Sequence, residues 1–410
     1  RCGQCLTSCP TYLLSMNEAE GPRGRIALMR ALVEGHLPLT PDLVEHEQNC
    51  LVCDACTAVC PAGVHMDPMQ VALRAAIEPD RPRPAAERIA RRVGFGLLAD
   101  LGRLRSTVRL LALAQALRLP ALAERLGLLR LLGLEGAAAF LPDRVETRFL
   151  IPRGERYPAE AAAGAADPPT SVAFFAGCVM STALAEVDRA TIRVLRRAGC
   201  EVSNTAGQGC CGALHAHSGD LAGARRLFKR NVEAFEREGE APIVVNSAGC
   251  GAMLKDYGHH LRDEPEWAER ARRLSARVVD ATQLLAGRAL PMRRSLPIAA
   301  TYQDPCHLAH AQRISQPPRA LLRSIPDLEL REMQESSLCC GSAGVYNLTN
   351  PRESGQLQRR KLDRALATGA RVIATANPGC LLQLRAGLRE RGSDVQVRHV
   401  VELLDEATAP

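Results

Sequence analysis

Aromatic residues are scarce in this 410-residue chain, at 3% of positions. Lysine is scarcer still, with only Lys229, Lys255 and Lys361. The formal net charge is nevertheless +7, so the basic residues are nearly all arginine. They are interspersed with Glu and Asp along helical patterns and form no stripe interleaved with stacking aromatics. That excludes a nucleic-acid binder of the usual kind. Long apolar runs are also missing. A bilayer span needs about 20 apolar residues, and the richest stretch, Leu110 to Leu122, is broken by Gln115, Arg118 and Pro120. No G-x-x-x-x-G-K-S/T loop occurs, and no G-x-G-x-x-G follows an expected strand. Substrate chemistry on a nucleotide or flavin is therefore expected on another polypeptide.

What the chain has in excess is cysteine, sixteen in all. Met without a secretory signal, they point to a reducing compartment, where thiols serve metals or redox chemistry. The expected location is the cytoplasm, and a mildly positive surface is compatible with peripheral contact with the membrane. Cys50, Cys53, Cys56 and Cys60-Pro61 form an uninterrupted C-x2-C-x2-C-x3-C-P run. In two-cluster ferredoxins this spacing holds a 4Fe–4S cluster with its first three cysteines, while the fourth ligates the other cluster. A second run is thus expected, and Cys2, Cys5 and Cys9-Pro10 supply most of it. Its first cysteine is expected two positions upstream of Arg1. Crossed ligation gives one set of Cys50, Cys53, Cys56 and Cys9. The other set is Cys2, Cys5, Cys60 and the upstream cysteine. Zinc knuckles also use four cysteines but favour two separated C-x2-C pairs. A disulfide framework does not suit a chain long enough to bury its own core.

The expected fold is α+β and multidomain. Residues 1–80 form a helical two-cluster unit, with helices expected over Ile26–Gly35, entered through a Pro22-Arg23-Gly24 turn, and over Met66–Ile77. Residues 81–165 form a helical region and linker. Its Leu, Ala and Arg pattern reads as two or three amphipathic helices punctuated by Gly94, Pro120 and Gly133, packed on the other domains or lying on a membrane or partner. Residues 153–169 read as linker.

From residue 166 the chain repeats itself. Cys178, the Cys210-Cys211 pair and Cys250 recur as Cys306, Cys339-Cys340 and Cys380, offset by 128, 129 and 130 residues. This is a duplicated module, 166–290 and 291–410. In each, β-branched runs (Val172–Phe175, Ile243–Val245, Val372–Thr375) alternate with helical stretches, which argues βαβ units and a parallel sheet. The cysteines fall after the strands, where such sheets place ligands. These eight cysteines are candidates for a further cluster, for zinc or for redox chemistry, and the alternative is structural burial. Adjacent cysteines reach one tetrahedral ion only with difficulty; a multi-iron cluster, or a pair with only one ligating member, is easier. Cys200 has no counterpart in the second repeat and reads as a buried free thiol. His215, His217, His307 and His310 follow cysteines, but such histidines more often hydrogen-bond backbone.

Taken with Cys9-Pro10-Thr11-Tyr12, Gly21-Pro22-Arg23-Gly24-Arg25-Ile26, Asp304-Pro305-Cys306-His307-Leu308-Ala309-His310 and Cys339-Cys340-Gly341-Ser342-Ala343-Gly344, the whole chain resembles the glycolate oxidase iron–sulfur subunits. Related families are the corresponding subunits of anaerobic glycerol-3-phosphate dehydrogenase and lactate-utilisation systems, and the cysteine-rich subunit of heterodisulfide reductase. The duplicated unit looks like the cysteine-rich CCG domain these share. The resemblance implies FAD-binding partner subunits, oxidation of glycolate to glyoxylate, and electron delivery toward a quinone-level acceptor. It also implies that this chain alone is not catalytic. In the heterodisulfide reductase pattern the last cysteine becomes C-x-x-C; here the closing positions are Met253 and Gln383, so a non-cubane cluster of that type is not expected.

Overall fold

The computed structural model describes residues 2–81, 83–126, 145–160 and 170–410. The N-terminal unit is helical: α1 (Pro10–Ser15), α2 (Pro22–Val33), α3 (Pro41–Gln48), α4 (Ala55–Ala58) and α5 (Met66–Ile77). Proline opens α1, α2 and α3, where its missing N–H costs nothing. Pro22-Arg23-Gly24 is therefore the first turn of α2, not a turn ahead of it. Gly24 is required there, because a Cβ would sit 1.9 Å from the Glu18 carbonyl oxygen.

Three helices follow: α6 (Ala85–Ala99), α7 (Leu101–Ala116) and α8 (Leu119–Arg125). Gly94 lies inside α6 and breaks nothing. The break falls at Asp100, whose carboxylate caps α7 by accepting from the N–H groups of Gly102 and Arg103. Pro120 sits in the first turn of α8, and Gly133 lies outside the described residues. The expected linker contains a short strand, β1 (Glu155–Tyr157).

The first module runs β2 (Thr170–Phe175), α9 (Ala185–Arg197), β3 (Cys200–Asn204), α10 (Ala213–His217), α11 (Leu221–Glu236), β4 (Ile243–Val245), α12 (Ala248–Lys255), α13 (Tyr257–His260), α14 (Pro265–Arg277), β5 (Val278–Asp280) and α15 (Ala281–Ala286). The second runs β6 (Ala299–Tyr302), a π-helical turn (His307–Ala311), α16 (Gln316–Arg323), β7 (Glu329–Leu330), α17 (Tyr346–Thr349), α18 (Pro351–Leu366), β8 (Val372–Thr375), α19 (Pro378–Glu390), β9 (Gln396–His399) and α20 (Val400–Thr408). The sheet orders are β1-β3-β2-β4-β5 and β7-β6-β8-β9. Leaving aside β1, which pairs antiparallel with β3, both sheets are wholly parallel and share one strand order. The duplication read from the cysteines is thus a duplication of topology.

The two modules pack through corresponding elements. Helix α9 of the first lies on the terminal helix α20 of the second, and α16 of the second lies on the terminal helix α15 of the first. That reciprocity is a pseudo-two-fold interface within one chain. One core runs through it, joining Phe174, Leu195, Val202 and Val244 to Tyr302, Leu321, Val372 and Leu403. Each such side chain stabilises the fold by roughly 1.5–3 kcal/mol. Asp405 of α20 accepts from Arg193 at 2.6 Å and Arg197 at 2.8 Å on α9. His399 bridges the modules from a buried site. Its Nε2–H donates to the Asn246 carbonyl at 2.9 Å and its Nδ1 accepts from Val401 N–H at 3.3 Å.

Candidate functional site

Cys9 is the N-cap of α1, Cys50 and Cys53 lie in the irregular loop after α3, and Cys56 is in the short helix α4. Val52 (φ 50°) and Asp54 (φ 58°) hold left-handed backbone without being glycine, which folds the Cys50–Cys56 loop tightly inward. All four cysteines line one small cavity, together with Pro10, Thr11, Pro22 and Arg25. Cys53 is buried by neighbours from α4 and from the second module. Burial pushes the Cys50 and Cys53 thiols up, and Cys56 as well.

Two buried guanidiniums oppose that trend. Arg25 donates to the His46 carbonyl at 2.8 Å, Thr11 Oγ1 at 3.0 Å and Glu20 Oε2 at 2.6 Å. Burial works against its charge, but Cys50, Cys9, Glu20 and Glu47 outweigh it and hold it above the ordinary value. Arg74 donates to the Cys50 carbonyl at 2.7 Å and to the His217 carbonyl at 2.7 Å. Four converging thiols around an enclosed space, with cations behind them, suit an anionic multi-iron cluster.

Cys2, Cys5 and Cys60 form a second, more open group. Burial raises the Cys5 thiol, and the charges of Cys2 and Cys60 add to it. Cys60 is lowered by the N–H groups of Val64 and Ala62. Cys9 thus lines the cavity of the Cys50 run, while the charge of Cys60 acts with that of Cys2 on Cys5.

Each module gathers its four cysteines at the C-terminal edge of its sheet. Cys178 and Cys306 follow the strands β2 and β6, while Cys250 and Cys380 lie in the first turns of α12 and α19. Cys178 Sγ is 3.5 Å from Cys210 Sγ, and Cys306 Sγ is 3.9 Å from Cys339 Sγ. After the pairs, Gly212 (φ 82°) and Gly341 (φ 87°) are obligatory. A Cβ would meet Phe228 at 2.5 Å or the Ser354 carbonyl at 2.6 Å.

The electrostatics differ between the modules. In the first, hydrogen bonds from Cys178 and Cys211 hold the Cys210 thiol well below its usual range. In the second, the same effect lowers both Cys306 and Cys340. His307 Nδ1 lies 3.7 Å from Cys306 Sγ. Burial disfavours the charged ring, but the Cys306 thiolate, Asp54 and Asp67 raise it to about 9. No group of three or more Cys, His, Asp or Glu side chains has the spacing of a single-ion site among the described residues. The zinc expectation for the modules finds no support.

Sequence reasoning missed three features. β3, which the β-branched runs do not mark, puts Gly207-Gln208-Gly209-Cys210-Cys211-Gly212 after a strand, so a G-x-G-x-x-G string follows a strand after all. It holds no nucleotide: α10 behind it has five residues, and the Gly209 N–H is taken by Asn231 Oδ1 at 2.8 Å. Arg74 and Lys361 went unremarked, because one basic residue among many carries no signal until burial is known. Of the four histidines that follow cysteines, His310 bonds backbone, at Ser337. His215 bonds Asp220 at 2.8 Å, and His217 pairs with Asp67 at 3.4 Å. Cys200 is buried at the start of β3, as expected.

Residues 1–64 match the 4Fe-4S dicluster domain family, and residues 172–255 and 300–385 each match the cysteine-rich CCG domain family. The chain is 38% identical to a probable glycolate oxidase iron-sulfur subunit of Bacillus subtilis, over 99% of this chain and 93% of that protein. It is 33% identical to the glycolate oxidase iron-sulfur subunit of Escherichia coli, over 99% and 92%. The chain belongs to the family of glycolate oxidase iron–sulfur subunits. A lactate utilization protein A of Bacillus thuringiensis is 31% identical over 57% of this chain and 98% of its own length. In family terms, the helical cysteine unit is the dicluster domain and the two parallel sheets are the CCG repeats.

Proposed function

We propose that this chain is the electron-carrying subunit of a glycolate dehydrogenase complex. FAD-binding partner subunits oxidise glycolate to glyoxylate, and this chain passes the electrons on toward a quinone-level acceptor. The domains are 1–80, 81–165, 166–290 and 291–410, and the complex works at the cytoplasmic side. The single observation that carries the reading is the position of Cys9 in the cavity of Cys50, Cys53 and Cys56, 41 to 47 residues away in sequence. Those four would hold one 4Fe–4S cluster, and Cys2, Cys5 and Cys60 belong to the other. Bound there, the clusters accept single electrons from a two-electron flavin donor.

The chain's own residues supply the rest. Leu51, Ala55 and Met66 keep water from the buried thiols. Arg25 and Arg74 place positive charge beside Cys50, which favours the more reduced, more negative state. The Cys178 and Cys306 sets, each with a lowered thiol, would hold a further cluster. Co-purification of the full chain with two flavoprotein subunits, glycolate:dye reductase activity and a clear excess over the roughly eight irons of two 4Fe–4S clusters are the expected results. Absence of flavoprotein partners sinks the reading. The lactate utilization relative supports a second substrate, and comparing lactate with glycolate in the same assay decides between them.

A further inference from the structure

Thirteen large apolar side chains are well exposed among the described residues, and eight of them fall between residues 89 and 126. They are not scattered. On α6, Ile89 (63% exposed) and Val93 (54%) stand one turn apart, and no residue of this helix is buried. On α7, Leu110 (67%), Leu113 (57%) and Leu117 (62%) follow the i, i+3, i+7 spacing of a single helix face. On α8, Leu119, Leu122 and Leu126 repeat that spacing. The opposite face of α7 is used differently. Leu101 and Leu104 pack against Cys178 and Cys210 of the first module. One helix thus covers a thiol site with one face and offers leucines outward with the other.

The charges beside these leucines are mainly positive: residues 85–126 carry eight arginines against Glu87, Asp100 and Glu124, with Asp100 3.6 Å from Arg103. Residues 101–126 carry five arginines against one acidic residue, Glu124. Arg88, Arg92, Arg103 and Arg109 are exposed on these helices, and Arg118 is exposed on the turn between α7 and α8. An amphipathic helix with leucines on one side and arginines along its border is the pattern of a segment lying in the headgroup layer of an anionic bilayer. Each basic residue near such a surface adds attraction. No helix of the described residues is long and apolar enough to cross the membrane, so the contact would be with its surface.

We propose that α6, α7 and α8 form a docking face for an anionic lipid surface, with Leu110, Leu113, Leu117 and Leu122 entering the acyl boundary and Arg103, Arg109 and Arg118 meeting the headgroups. The inference rests on the preceding reading in one respect: a lipophilic quinone is reached only at a membrane. Docking by α7 also turns the Cys178 and Cys210 side of the first module toward the bilayer.

The test uses the full chain and sedimentation with phosphatidylcholine vesicles, with and without phosphatidylglycerol. The wild type should pellet with the anionic vesicles and be released by salt. Leu110→Ser/Leu113→Ser/Leu117→Ser should weaken binding by about tenfold or more, and Arg103→Gln/Arg109→Gln/Arg118→Gln should abolish the preference for phosphatidylglycerol. Circular dichroism and iron content should be unchanged, since these side chains are exposed. Failure of the wild type to bind, or equal binding by the variants, overturns the proposal. So does loss of glycolate:dye reduction by the leucine variant with a water-soluble dye, because the face then belongs to a partner subunit. A wild-type complex that binds vesicles but never reduces dye with glycolate contradicts the proposed function and leaves the docking face standing.

Discussion

The two modules share a strand order, a cysteine pattern and a pseudo-two-fold contact, yet they are covered by different things. Over the first module lie Leu98, Leu101 and Leu104 of the linker helices. Over the second lies the N-terminal cysteine unit: Leu51, Cys53 and Ala55 share one apolar cluster with Cys306, Cys339 and Tyr346. The Cys306 charge is the strongest electrostatic influence, after burial, on the Cys53 thiol. Their surroundings have diverged in step. Val179 follows Cys178 where His307 follows Cys306. Asn231 on α11 stands where α18 has Lys361, whose ammonium donates to the carbonyls of Glu335 and Ser336 at 2.5 and 3.0 Å. The frame is shared, and His307 and Lys361 stand beside the cysteines of the second module without a basic residue at the corresponding positions, Val179 and Asn231, of the first.

Substitutions at corresponding positions should break the comparison unequally. The largest effect is expected for Asn231→Leu. It removes the acceptor of Gly209 N–H and the donor to the Cys210 carbonyl and to Tyr257 Oη, so it should cost roughly 3–5 kcal/mol in a denaturant titration. At Lys361→Met in the second module, the loss of two carbonyl contacts is offset by removal of a buried charge. The cost should be nearer 1 kcal/mol, with a less reactive Cys340 toward alkylating agents. Equal losses at both positions would mean that Lys361 is structural in the way Asn231 is.

The glycine pair comes next. Gly341→Ala meets backbone at Ser354, and Gly212→Ala meets the movable ring of Phe228. Thermal unfolding should show about 3 kcal/mol lost at Gly341 and about 2 kcal/mol at Gly212. The reverse order would show that the Phe228 side is the more rigid.

A pH dependence follows from His399 at the junction of the modules. Burial holds this ring at about 4, well below its ordinary value of 6.5. The unfolded chain therefore takes up the proton first as pH falls. Stability present above pH 6.5 should be lost progressively toward pH 4, by about 3 kcal/mol at most. His399→Gln should flatten that part of the profile while lowering stability at neutral pH. An unchanged slope would move the acid sensitivity elsewhere. The smallest expected effect is electronic. Arg25→Gln should make the cluster beside Cys50 harder to reduce, moving its midpoint potential down by tens of millivolts, with iron content retained.

How much of this was legible in the sequence depends on the kind of signal. The strands Ile243–Val245 and Val372–Thr375, the helix Met66–Ile77 and the duplication follow directly from periodicity and cysteine spacing. β3 did not, because Cys200-Glu201-Val202-Ser203-Asn204 has one β-branched residue and is made a strand by its neighbours β1 and β2. The Gly94 break failed for the opposite reason, since a solvent-exposed helix tolerates glycine at modest cost. The nearness of Cys9 to the Cys50 run was legible, because the spacing of the two runs points to it. The placement of Cys53 against Cys306 was not, because no local pattern encodes which domains touch.

The central claim is best tested by electron paramagnetic resonance of the assembled complex, frozen after anaerobic addition of glycolate. Reduced iron–sulfur signals should appear in the wild type. Cys9→Ser should alter the same signal as Cys53→Ser, and Cys60→Ser should alter the other. Glycolate that reduces only flavin, leaving every cluster oxidised, would contradict the account, as would Cys9→Ser and Cys60→Ser perturbing one and the same signal.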